Sequence, residues 1–159
     1  MKALYAQVLA VSLLFVGASS FAQPKQGRGG GGWGPGSQYG RLFDPKTVET
    51  VTGEIEKVER VTPLKGMSPG IHLQLKAEKE TLSVHLGPEW YIDNQEVKLA
   101  PKDKVEVKGS RVTINGKPAL IAEEVTKGDQ VLELRDASGV PMWAGWRARG
   151  AQPPQTPQP

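Results

Sequence analysis

Two histidines, His72 and His85, are the first residues in this chain whose types could do chemistry. A neutral imidazole nitrogen is a ligand for copper or zinc, and histidine is the one side chain that titrates unperturbed between pH 5 and 8. Met67 stands shortly before them in the loop segment TPLKGMSPG, where its thioether is a third candidate ligand for a soft ion; Met142 is the alternative. A second group is aromatic: Trp90 and Tyr91 follow Gly87-Pro88, and VPMWAGWRARG carries Trp143, Trp146 and Arg147. Such residues either present a flat surface to a protein or glycan partner or close the open end of a core. Trp143 and Trp146, three apart, suit the closing role, with Arg147 beside them for an acidic partner. Glu123 and Glu124 are adjacent, so a strand would send them to opposite faces as solvated charges.

What is missing narrows the chemistry further. The chain has no cysteine, hence no thiol nucleophile and no disulfide framework. No Gly-x-Ser-x-Gly elbow occurs, and the Gly-rich run has neither a strand before it nor a helix after it, so it is not a phosphate loop. The pattern is that of a protein that binds rather than one that reacts.

The elements that position the histidines follow from alternation. Ile71, Leu73 and Leu75 alternate with His72, Gln74 and Lys76; Leu82, Val84 and Leu86 alternate with Thr81, Ser83 and His85. This is a hairpin with one buried face. A turn centred on Glu78-Lys79 pairs Leu75 with Leu82, Leu73 with Val84 and Ile71 with Leu86, because a slip of one residue would set apolar side chains against polar ones. The same register puts His72 opposite His85 on the polar face, at the roughly 4.5–5.5 Å Cβ separation of directly opposed strand residues.

Around the hairpin the remaining segments also read as strands. Thr47–Val61 is rich in Thr and Val, bent at Gly53, with a bulge near Glu56 to account for the change of parity after Ile55. Pro88 opens a short helix with Trp90 and Tyr91. A strand runs through Val105 and Val107, with a bulge at Gly109, to Ile114; Asn115-Gly116 turns it into PALIAEEV. QVLELRD is the last strand. Lys2, an apolar run and Ser20-Phe21-Ala22 form a signal peptide over residues 1–22, with the mature chain starting at Gln23. Residues 23–40 read as a Gly-rich disordered linker, 41–149 as the folded domain, and 150–159 as a Pro/Gln-rich disordered tail. Between Arg41 and Asp136 there are 15 Lys and Arg against all 17 acidic residues, so the folded part is mildly acidic although the whole chain carries +3. A polyanion partner is therefore not implied.

The expected fold is all-β: a small five- to six-stranded OB-like Greek-key barrel with one short helix, flanked by disordered tails. The opening TVTGEIEKV, then PKDKVEVKGS and NGKPALIAEEV, together with the signal, resemble the bacterial periplasmic OB-fold families over about residues 47–127. The resemblance implies a periplasmic or secreted, non-enzymatic binding module for a macromolecular or envelope partner, with no required cofactor. Two alternatives accompany it. Small-barrel periplasmic copper carriers are similar in size, compartment and use of His, Met and Trp, but here closely spaced methionines are absent. The second is nucleic-acid binding, which the OB-like fold would allow by analogy, although the outer face of the hairpin has one Lys and no aromatic.

Overall fold

The computed structural model describes residues 30–145. The signal peptide, the start of the Gly-rich run, Trp146, Arg147 and the C-terminal tail lie outside them. Six strands make the fold: β1 (Val48–Val61), β2 (Gly70–Ala77), β3 (Thr81–Pro88), β4 (Lys104–Ile114), β5 (Lys117–Lys127) and β6 (Gln130–Glu133), with one helical turn, α1 (Glu89–Ile92), between β3 and β4. The sheet order is β3-β2-β1-β4-β5-β6, and a short parallel pairing of β3 with β5 through Ser83–Ala119, Val84–Leu120 and His85–Ile121 closes it on itself. This is the expected OB-like barrel.

The strand breakers do the work assigned to them. β1 pairs with β4 up to Glu54 and with β2 from Gly53 onward. Gly53 stands at that changeover, where a Cβ would press on the backbone of Lys76. The ladder slips between Ile55 and Lys57, making Glu56 the extra residue of a bulge. Asn115 and Gly116 both have positive φ, 52° and 76°, the backbone of a two-residue hairpin turn whose twist matches the strands. The slip at Gly109 puts the extra residue on β5, at Glu123. Pro88 precedes α1 rather than opening it.

Ile55, Leu73, Leu75, Leu82, Val84, Val107, Leu120 and Val125 are fully buried and fill the barrel. The alternation of β2, β3 and β4 is the direct cause, since every second residue of each strand faces inward. The seam between β3 and β5 is tied by buried Arg135, whose Nη1 donates to the carbonyls of Leu86, at 3.1 Å, and of Ala122.

One expectation is corrected. The linker assigned to 23–40 is not a free tether in its described part: Trp33 is 1% and Tyr39 2% exposed, and both belong to the core. Each ring removes a large apolar area from water, which repays the ordering of the short Gly-rich segment around it.

Candidate functional site

The hairpin register places the histidines as read from the sequence, with Leu75 opposite Leu82, Leu73 opposite Val84 and His72 opposite His85. It then slips, so Ile71 pairs with Gly87 instead of Leu86. Leu86 becomes the additional residue and turns into the core. The face bearing the histidines differs more from expectation. It is polar only at Gln74, Lys76, Thr81 and Ser83; at its other end His72 and His85 are 2% and 4% exposed.

Tyr39 covers them. Its ring stacks parallel to His85, and its hydroxyl shares a hydrogen bond with His85 Nδ1 at 3.1 Å. His85 in turn stacks on His72, with centroids 3.7 Å apart and planes 21° off parallel. His72 Nε2 is buried without a hydrogen-bond partner. Burial pushes the His72 pKa down to about 4, Glu59 across the ladder opposing the shift; burial and the neighbouring His72 and Arg135 push His85 down to about 3. Both rings are therefore neutral at physiological pH. Burial likewise raises the Tyr39 phenol above its ordinary range and lowers the Arg135 guanidinium to about 10, still protonated at neutral pH.

Two glycines make room for two indoles on this face. At Gly70 a Cβ would collide with the Trp33 ring, and at Gly87 it would come within 2.7 Å of Trp143 Cζ3. Trp33 Nε1 donates to Ser68 O at 3.0 Å, and Ser68 N donates to Gly31 O at 2.8 Å. Trp143 Nε1 donates to Trp33 O at 2.8 Å, and the Arg135 guanidinium lies 4.8 Å above the Trp143 ring. The run from Gly30 to Tyr39 is thus a strap laid across the β2–β3 face and held by backbone bonds and aromatic contacts.

The other residues singled out in the sequence fall as follows. Met67 is partly buried and packs on the strap, so that a Cβ at Gly32 would meet its Cγ at 2.7 Å. Met142 is partly buried and its N–H donates to Leu134 O. Trp143 is buried, its ring packed over Gly87 and its Nε1 donating to Trp33 O, and so does not present an open platform. Tyr91 is buried against it, centroids 5.4 Å apart, and Trp90 is half-buried beside Tyr91. Trp146 and Arg147 lie outside the described residues. Glu123, the bulge residue, is buried and accepts from Lys108 Nζ at 2.8 Å.

A shared metal ion needs lone pairs that converge, and lone pairs lie in the ring planes. Planes 21° apart and 3.7 Å distant meet roughly 10 Å away, against a metal–nitrogen bond of about 2 Å. One ring would have to turn before the pair could chelate. Among the described residues no group of three or more His, Cys, Asp or Glu is placed to hold a metal ion.

Trp33 and Tyr39 are the site residues that reading strand patterns missed. The available signal was the pair of strand glycines, Gly70 and Gly87, since a glycine on a sheet face is open ground for an aromatic ring.

Fold and face together define a small OB-like barrel without an evident catalytic constellation among the described residues, its ligand-type face covered by its own aromatics. The model of the MamS/MamX magnetosome protein family matches residues 47–132, and the chain belongs to that family. The matched stretch coincides with the six strands and leaves out both the strap and Trp143. No curated protein matches the chain. No helix among the described residues is long and apolar enough to cross a membrane.

Proposed function

We propose that this protein is an exported, non-enzymatic binding module that works at the magnetosome by recognising a macromolecular or envelope partner. The observation that carries the reading is the coincidence of the magnetosome-family match with the barrel itself. The signal-like N-terminus supports export. The buried histidines, held neutral and stacked, support structure rather than acid–base work. A nucleic-acid partner gains no support, because the open part of the β2–β3 face offers Lys76 as its one cation and no stacking ring. The metal reading gains none from the stacked geometry.

Co-sedimentation tests the proposal. Purified mature protein is mixed at physiological salt with magnetosome-bearing membranes, intact or stripped of protein by protease. Retention on intact membranes, reduced on stripped ones, is expected. Retention no greater than that of an unrelated barrel of the same charge would overturn the proposal.

A further inference from the structure

The strap has the geometry of a bound peptide. It adds no strand to the sheet and lies outside the stretch matched by the family. It meets the barrel at a small set of built features: bare ground at Gly70 for the Trp33 indole, the Ser68 N–H and C=O for one backbone acceptor and one indole donor, Met67 against Gly32, and His85 for the Tyr39 ring and hydroxyl. Trp143 walls the groove and donates to the strap carbonyl at Trp33. A face built in this way selects a compact, turn-forming Gly-rich segment in which a tryptophan and the tyrosine six residues later meet edge to face, their centroids 4.8 Å apart. The chain's own GWGPGSQY is such a segment.

We infer that the β2–β3 face is a peptide groove that a second copy of this chain fills with the same Gly30–Tyr39 strap, so that copies associate by exchanging straps. The inference rests on the binding-module reading and names one partner for it. Exchange keeps each of these strap contacts and re-routes the chain at the turn Gly40–Leu42, ahead of Phe43, which is buried against Gly139, and of Asp44, whose N–H donates to Ser110 Oγ at 3.0 Å. The same short turn gives a chain's own strap an effective concentration of about millimolar order, so self-docking dominates in dilute solution. Exchange emerges where copies are crowded or where a chain's own strap is disabled.

The full-length W33A/Y39A variant supplies an acceptor with an empty groove, and a fluorescein-labelled peptide spanning residues 30–43 is the probe. Anisotropy should show at least tenfold tighter binding to the variant than to the wild type, lost when the peptide carries Ala at the Trp33 position. A variant with wild-type β-sheet circular dichroism that binds both peptides equally would overturn the inference. Should the variant lose its β-sheet signal, wild-type chains labelled with nitrogen-14 and nitrogen-15 are mixed at about 1 mM, comparable to the tether's effective concentration, and chemically cross-linked before dilution for mass spectrometry. Mixed dimers are expected, and monomers alone would overturn the inference. Both assays use the purified chain, so their failure leaves membrane association to stand or fall by itself.

Discussion

At His72 and His85 the same two residues that looked like ligands in the sequence act as a buried, neutral stack. Glu59 faces His72 from β1, while Tyr39 from the strap and Arg135 face His85. Each ring binds a proton less readily folded, at about 4 and about 3, than unfolded, at about 6.5. The unfolded chain therefore takes up more protons across that window, and stability is full above about pH 6.5 and lost as the pH falls toward 4. Each ring adds a slope of about 1.4 kcal/mol per pH unit inside its window. Urea midpoints measured from pH 7 to pH 4 should fall steeply, and the His72→Gln, His85→Gln double variant should show a flatter fall from a lower starting value. An equally steep fall in the double variant would place the titrating groups elsewhere.

At the scale of elements, the strap and the β3–β5 seam are the parts the fold depends on most unequally. The parallel pairing of β3 with β5 spans three residue pairs, so the two carbonyls held by Arg135 matter there. Replacing Arg135 with Met should orphan both, at about 1–3 kcal/mol each, which denaturant titration measures. On the strap side, Gly70→Ala puts a methyl where the Trp33 indole lies. Loss of that buried ring from its seat should cost about 3–5 kcal/mol, as Trp33→Ala should, and the two changes combined should cost little more than either alone. The hairpin, its His–His register, the bulge at Glu56 and the Asn115-Gly116 turn were legible because alternation and turn chemistry act locally. The slip at Leu86 was not, since it depends on β3 leaving β2 for α1 and β5. The strap was hidden by composition: glycine density argues for disorder unless a distant surface offers the rings a seat, and that surface is assembled from β2 and β3.

Over the whole molecule, the two ends of the described chain meet on one face, where Trp143 donates to the carbonyl of Trp33. Sequence separation this large leaves no trace in local patterning, so the covered face could be read only from the fold. The charge balance was readable throughout: the mildly acidic barrel and the basic flanks follow from counting. The family match covers residues 47–132, which hold the barrel and neither the strap nor the Trp143 segment. The covered face is the centre of the account, and proton NMR of the full-length protein tests it most directly. A Trp33 ring lying on Gly70 should shift the Gly70 Hα signals upfield by its ring current and give nuclear Overhauser contacts between them and the indole protons. Random-coil shifts for residues 31–40, with no contact from Trp33 to Gly70, would contradict it.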